Sequence, residues 1–574
     1  MTLSKPKQLF LLVSCAFLVG FSLIVNSIDT VELKNRIAEG EQLVTPVAHV
    51  ALLRSGRANA SSITDEEIKA MVRQAVETAG GLASVVADGD SVILKPNLVG
   101  AGGATPFVNG VTTDYRVVRA VSELVRELNP TGWIGIVEGS APGNGQGTKD
   151  MFNLYGYKKT NLPAVDDILA LEDIDGADKD YASAQLVAVS LPDSISLYPD
   201  SKKPNNSRPI YLAKLYAQAD AVISIPVLKN HESAALTVGI KNTSIGMTPP
   251  SIYRKDLYNI PNLRFEIDHS YPDMHKWIHD FFMCRPIDFV IVDGLQGLQH
   301  GPGGGSNPSQ NRMNMRLILA GRDPVAVDAI SAHIIGMDPS KINYLAYLHN
   351  HGAGCADHKL IRVHGNVRVS DVKKKYRHND ARTIAVQVSD FTPPALAITA
   401  VEVQGQTLAL SLATASKTKL VEIAVDGQLL PQAVVSGFDD IRIPLPQPAA
   451  VHQIEVIAYD AYRNSSSAAA VTRVVDGQDK VAATFQLLPN YPNPFNPTTT
   501  ISFNLPTDDR VTLTVYNSLG VPVRTLLSGA LSVGTHALQW NGRDDAGNPL
   551  PSGVYYAEIV ANSGRMRNKM VMVR

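Results

Sequence analysis

The sequence predicts an α/β domain, built on a mostly parallel sheet with helices on both faces, followed by two all-β immunoglobulin-like sandwiches. Three observations carry that expectation. Between about residues 45 and 375, continuous apolar, β-branched runs alternate with helical patterns, as buried parallel strands joined by crossover helices do. After about residue 385, short alternating strands are separated by Gly, Pro, Asp and Asn, which is how sandwiches read. The length of 574 residues leaves room for about three or four domains.

In chain order, Lys5 and Lys7 precede an apolar run from Leu9 to Val25. The run fits a signal peptide cleaved after Ser27, an uncleaved anchor or, through Cys15, a lipoprotein signal. Each reading carries the remainder out of the cytoplasm, to the cell surface or beyond, so ATP is not an expected cofactor. Residues 47–54 then read as a strand. Residues 64–81 read as a helix, with Thr64 and Glu67 as a capping box and Gly80 or Gly81 as its stop. Further strands are expected at 91–95, 133–140, 220–228, 286–294 and 315–321. Helices are expected at 113–128 and at 323–336, the latter with Pro324 in its first turn. The expected boundaries are a signal peptide at 1–27, the α/β domain at 28–384, and sandwiches at 385–478 and 484–574.

With 52 Lys+Arg and 54 Asp+Glu, the formal net charge is −2. No excess of basic residues is available to neutralise phosphates, so nucleic acid is not an expected partner. Cys15, Cys284 and Cys355 are the three cysteines, too few for the four thiolates of an ordinary iron–sulfur cluster or a Cys₄ zinc site. They leave at most one disulfide in the folded part.

Ligands of parallel α/β sheets bind beyond the carboxyl ends of the strands. Five junctions follow apolar strands here: Lys95-Pro96-Asn97, Glu138-Gly139-Ser140, Lys229-Asn230-His231-Glu232, Asp293-Gly294 and Gly321-Arg322-Asp323. Lys95, Lys229 and Lys241 are candidate holders of phosphate or carboxylate, with Asn97 and Asn242 beside them, and a partly buried lysine can serve as a base. Gly239 and Gly246 flank Lys241 and would let backbone N–H groups approach an anion. His231 is the candidate acid–base group, with Lys229 alongside it. Glu138 and Asp293 would orient it or hold a metal. Each of these residues also has a plain structural role available, as a solvated loop lysine, a strand-end cap or a turn former.

A second cluster holds His269, Asp273, His275, His279 and Asp280. On a helix, His275 and His279 share a face at the spacing of zincins, although Lys276 stands where the general base would be. A divalent metal is one expectation; the other is that His275 caps a helix and His279 packs against Phe282. The cofactor is otherwise unknown. The glycine-rich 294–308 segment reads as an anion nest, a lid or a flexible loop. In 143–147, GNGQG, Thr148 is placed to cap the next helix.

The segments ILKPNLV (93–99), VEGSAPG (137–143) followed by Phe152…Gly156-Tyr157, SIPVLKNHESAALTVGIKNTSIG (224–246), MHKWIHDF (274–281), FVIVDGLQGLQHGPG (289–303) and ILAGRDPVAVDAISAHIIGMDP (318–339) resemble, in order, the domain of unknown function 362 family. The resemblance implies no assigned activity. Many relatives carry cysteine-rich cluster motifs that are missing from this chain. At the other end, FQLLPNYPNPFNPTTTISFNLP (485–506), VTLTVYNSLGVPVRTL (511–526) and HALQWNGRDDAGNPLPSGVYYAEIVA (536–561) resemble the C-terminal sorting domain of the type IX secretion system, with its flagellar-hook-capping-protein-like sandwich. That resemblance implies passage across the outer membrane and a partner in the type IX machinery through residues 484–574. Asp544, Asp545 and Asn548 there are calcium-ligand candidates or a polar turn.

Two functions are therefore expected to compete. One is an extracytoplasmic enzyme acting on a small anionic substrate by acid–base chemistry, proton transfer at carbon suiting the residue set. The other is a non-catalytic surface protein binding an anionic ligand or glycan through the same loops.

Overall fold

The computed structural model describes residues 42–99, 107–139, 147–174, 185–197, 209–253, 267, 272–303, 308–377, 381–404, 406–445, 451–473, 485–490, 493, 495–531 and 534–573. The N-terminal apolar run, His269 and most of 143–147 lie outside them. Two compact units are present. One holds residues 45–392 with 462–464; the other holds 41–44, 393–461 and 465–574.

In the first unit, the strands that matter for the site are β1 (Ala48–Arg54), β2 (Ser91–Pro96), β3 (Trp133–Glu138), β4 (Asp167–Ala170), β5 (Ala221–Ile225), β6 (Val227–His231), β7 (Ala235–Thr237), β8 (Phe289–Leu298), β9 (Arg312–Gly321) and β10 (Ile361–Gly365). The sheet order is β10-β1-β9-β8-β5-β2-β3-β4, with β6 paired to β8 and β7. Pairings β10–β1, β8–β5, β5–β2, β2–β3 and β3–β4 are parallel. β9 runs antiparallel to both of its neighbours, β1 and β8. Its carboxyl end, Gly321-Arg322-Asp323, therefore lies at the edge opposite the other strand ends, and that junction leaves the expected rim.

The helices that bear on the site and the core include α1 (Asp65–Thr78), α2 (Tyr115–Leu128), α3 (Thr148–Leu154), α4 (Gly239–Ser244), α5 (Asp273–Cys284), α6 (Pro324–Ile334) and α7 (Asn343–Asn350). Thr64 and Glu67 form the reciprocal capping box at α1, and Gly80 and Gly81 end it with positive φ. Thr148 does not cap α3. Gly147 holds that position, and the Thr148 hydroxyl donates to Glu172 at 2.9 Å.

Both faces of the sheet are buried, which is why its strands read as unbroken apolar runs. Val92, Leu94, Ile134, Ile136, Ile223 and Ile291 pack with Ile68 and Val72 of α1 and Val117 and Val121 of α2. Ile93, Val222, Val290 and Leu319, alternating with them, are equally buried. α4 lies on that second face, where a Cβ on Gly239 would come within 2.8 Å of Val290.

Asp328 of α6 is buried rather than solvated. It accepts the N–H groups of Gly239 and Ile240 at 2.8 and 3.3 Å and the Tyr344 hydroxyl at 3.0 Å. Asp328→Ala should leave buried donors without an acceptor and destabilise the domain by about 1–3 kcal/mol, measured by urea unfolding. Cys284 and Cys355 are free thiols.

In the second unit, strands Leu396–Gln404, Thr407–Thr414 and Ile441–Pro444 make one sheet, and Thr418–Val425, Val451–Asp460 and Ser465–Arg473 belong to the other, around a core that includes Leu410, Ile423 and Val456. Leu43–Val44 adds an edge pairing with Ala433–Val434 there, although the sequence reading assigned residues from 28 onward to the α/β domain. A second sandwich pairs Thr499–Leu505 with Gly534–Trp540, and Asp509–Asn517 with Pro522–Leu531 and Gly553–Ala561. Phe495, Phe503, Leu513 and Trp540 fill its core. Asp544 accepts the backbone N–H of Asn548 at 2.7 Å, and Asp545 accepts that of Thr525 at 3.1 Å. Asp544 thus closes a turn, and Asp545 ties that turn to the strand Pro522–Leu531.

Candidate functional site

The four parallel strand ends do bring their polar groups to one rim. Lys95, in the last turn of β2 before Pro96, is completely buried. Its ammonium donates to Pro96 O at 2.7 Å, to Glu138 Oε1 at 2.8 Å and to Asn242 Oδ1 at 3.4 Å. Glu138, at the end of β3, takes the Leu98 N–H on its other oxygen at 3.0 Å. Asn97 donates its amide to Asn242 Oδ1 at 3.1 Å, and Asn242 donates to Lys95 O and Ser224 Oγ. Gly246, just past the end of α4, is required here: a Cβ there would lie 2.1 Å from Asn242 O and 2.9 Å from the Lys95 ammonium. The glycine lets the end of α4 close on Asn242 O and pack against Lys95.

Lys229 lies within β6, whose Leu228–Asn230 segment is buried, and not in a loop. Pro226 interrupts the predicted 220–228 strand, and the chain resumes as β6, turning back at once into β7. The Lys229 ammonium donates to Val111 O at 2.7 Å. Burial first, then the charges of Lys241 and Lys95, push its pKa well below the ordinary lysine value, and Glu138 acts the other way. A lysine so placed tends toward the neutral amine.

Asp293 in β8 accepts the Asp114 N–H at 2.8 Å and the Leu295 N–H at 3.1 Å. Burial, reinforced by the Asp114 charge, raises it to about 7. Below its unfolded value of about 3.8 this raised pKa contributes its full share of stability, and that share is lost as pH rises toward 7. Relative to Asp293→Asn, the wild type should therefore lose a few kcal/mol of unfolding free energy between pH 4 and 7.5, as read by urea titration at each pH.

His231 takes the second of its two expected roles, that of a strand-end cap. Its Nδ1 accepts the N–H groups of Ser233 and Ala234 at 3.1 and 3.4 Å, closing the β6–β7 turn. Asn230 anchors the glycine-rich segment by accepting the Gly301 N–H at 2.8 Å, and a Cβ on Gly301 would strike Asn230 O. The described part of 294–308 is thus held against β6.

Three contributors were not foreseen. Asp114 caps α2 while its carboxylate is gripped by Arg116 at 2.8 and 3.0 Å. Thr113 bridges Asn97 N and Ile225 O. Tyr157 donates to Thr113 O at 2.8 Å. The signal for Asp114 was a capping residue directly before a helix, a pattern that ordinarily means a helix start and nothing more. Two buried polar atoms at the rim have no hydrogen-bond partner among the described residues: Asn97 Oδ1 and Thr237 Oγ1. Thr237 stands directly across from Lys229 in the β6–β7 pairing.

His275 and His279 do not converge. His275 Nδ1 accepts the Tyr344 N–H at 3.3 Å, capping α7, and burial lowers its pKa to about 4. The His279 ring nitrogens face Asp280 and His351. Among the described residues, no group of three or more His, Cys, Asp or Glu side chains is arranged to hold a metal ion.

Comparison with known proteins fits this division. The family model "Domain of unknown function (DUF362)" matches residues 92–333, and a model of the FlgD Ig-like domain matches residues 493–565. A thylakoid-associated protein of Synechocystis, sll1697, is 28% identical over 303 residues, covering 52% of this chain and 78% of that protein. The basal-body rod modification protein FlgD of Salmonella typhimurium is 39% identical over 56 residues, 10% of this chain; the chain spans about a quarter (24%) of that relative's length. Among solved structures, the lactate racemase apoprotein of Thermoanaerobacterium thermosaccharolyticum aligns over 47% of this chain and 54% of its own, at 12% identity and a TM-score of 0.26.

Proposed function

We propose that the α/β domain is an enzyme acting on a small anionic substrate by proton transfer, with Lys229 as the acid–base group. The observation that carries this is the juxtaposition of Lys229, a buried amine donating to a backbone carbonyl, with Lys95 and with orphaned polar atoms of Asn97 and Thr237. Lys95 and Lys241 supply positive charge for an anion. Glu138 fixes Lys95 at 2.8 Å. Asp293, near neutrality in pKa, is the complementary acid. The role expected of His231 passes to Lys229, because the His231 Nδ1 is used by its own turn. A neutral amine can take a proton from carbon next to a carboxylate or carbonyl, and an adjacent cation stabilises the charge that develops.

The test is solvent exchange. The protein is incubated in D₂O with panels of 2-hydroxy acids, amino acids and sugar phosphates, and the C–H signals are followed by proton NMR. Exchange in one class, lost in Lys229→Met, supports the enzyme reading. Binding without exchange across the panels supports the second reading, a non-catalytic binder of anions or glycans, which the turn-bound His231 favours.

The export proposal rests on the N-terminal apolar run and the C-terminal module. Residues 484–574 would address the protein to a type IX machinery and so to the cell surface or medium. Deleting 484–574 in a host with that machinery should retain the protein inside the outer membrane. Unchanged appearance of the truncated protein outside the cell would contradict this.

A further inference from the structure

Away from the rim, a chain of hydrogen bonds runs Asp280–His279–His351. Asp280 and His279 are completely buried side chains on α5. His351 follows α7 as its C-cap and is partly exposed. His279 Nδ1 lies 2.8 Å from Asp280 Oδ1, and His279 Nε2 lies 2.7 Å from His351 Nδ1. Asp280 also accepts the Ser196 hydroxyl at 2.7 Å and the Leu197 N–H at 3.0 Å. A carboxylate offers acceptors alone, so the proton between Asp280 and His279 sits on Nδ1, which leaves the His279 Nε2 lone pair directed at His351.

We propose that His279 Nε2 and His351 Nδ1 bind a late first-row divalent ion, of the cobalt–nickel–copper–zinc class. Three features support it. Imidazole nitrogen is the ligand type these ions favour. The carboxylate behind His279 is the outer partner that metal-bound histidines usually have, fixing tautomer and ring orientation. The spacing is also close to what is required: nitrogens about 2.0–2.1 Å from a shared ion are about 2.9 Å apart at a right angle and about 3.4 Å apart at the tetrahedral angle. The two rings would part by a few tenths of an ångström, and the ring axes, which now face each other along the hydrogen bond, would together turn until both lone pairs meet at the ion, about 35–45° off the present N···N line for each. His351 shifts its proton from Nδ1 to Nε2, so binding releases no net proton. The partly exposed side of His351 leaves remaining positions to water or to an anionic ligand. This site is independent of the rim.

The test uses the full chain carrying His49→Gln. His49 Nδ1 and His364 Nε2 lie 2.8 Å apart on neighbouring strands and form a separate imidazole pair that would bind the same ions. Co(II) is titrated and followed by its visible bands and by equilibrium dialysis. One equivalent is expected, with affinity lowered at least 100-fold in His351→Gln and about 10–100-fold in Asp280→Asn, at unchanged circular dichroism. Broadening of the His279 and His351 imidazole resonances by Co(II) checks the site in the parent protein without relying on either variant. No bound Co(II), bound Co(II) that leaves those resonances untouched, or the same affinity after His351→Gln in a folded protein would overturn the proposal.

Discussion

Glu138→Ala is expected to destabilise the α/β domain by about 3–5 kcal/mol, because it strands the completely buried Lys95 ammonium without its carboxylate. Lys95→Met should be milder. Glu138 would then keep the Leu98 N–H at 3.0 Å as a donor, while carrying a buried charge. Lys95→Met combined with Glu138→Leu should recover most of the loss, since an ion pair in an apolar setting contributes little net stability over well-packed apolar groups. Urea unfolding followed through Trp133 and Trp277, both in this unit, gives the three values. Additive losses in the double variant would mean that the two side chains act separately.

Lys229→Met is expected to do the opposite to stability and to abolish proton exchange, lowering its rate by about 10²–10⁴-fold. The lysine's hydrogen bond to Val111 O is worth about 1 kcal/mol. Against it stands the cost of burying an amine whose charged form is disfavoured by its surroundings. The sign against pH is fixed. A depressed lysine pKa contributes stability that is present above the unfolded value of about 10.4 and is lost as pH falls toward the folded value. The methionine variant should therefore gain on the wild type as pH falls from about 10.5 to neutrality. A residue retained at the expense of stability is what a functional group looks like in this ledger.

Much of the architecture was legible because both faces of the sheet are covered. Runs such as SVILK and DFVIVDG then stand out as strands, and Thr64 with Glu67, or Asp323 with Pro324, mark helix starts through local capping chemistry. Strand direction was not legible from apolar content. β9 reads like its parallel neighbours, yet the described residues between Leu298 and Arg312 hold no α-helix, only the 3-10 turn Pro308–Asn311, and a short link of that kind joins antiparallel strands. The rim lysines and carboxylates could be listed from strand ends, but their partners could not. Asn242 meets Lys95 across 147 positions of chain and Asp114 meets Asp293 across 179. Pro226 hid the continuation into β6, so the sequence left His231 open between an acid–base group and a strand-end cap; its Nδ1 accepts the N–H groups of its own turn, as the cap reading has it. His279 was paired with His275 as a metal-ligand candidate on one helix face. Its partner proved to be His351, 72 residues on, and not the helical neighbour His275, because ring orientation in a buried helix is set by what packs on it.

The most direct measurement is the unfolding free energy of wild type and Lys229→Met at pH 7 and pH 10. If a buried amine is kept at the rim for proton transfer, the methionine protein matches or exceeds the wild type at pH 7, and its advantage shrinks or reverses at pH 10. A variant several kcal/mol less stable than wild type at both pH values would make Lys229 a structural hydrogen-bond donor and leave the rim without its proposed base.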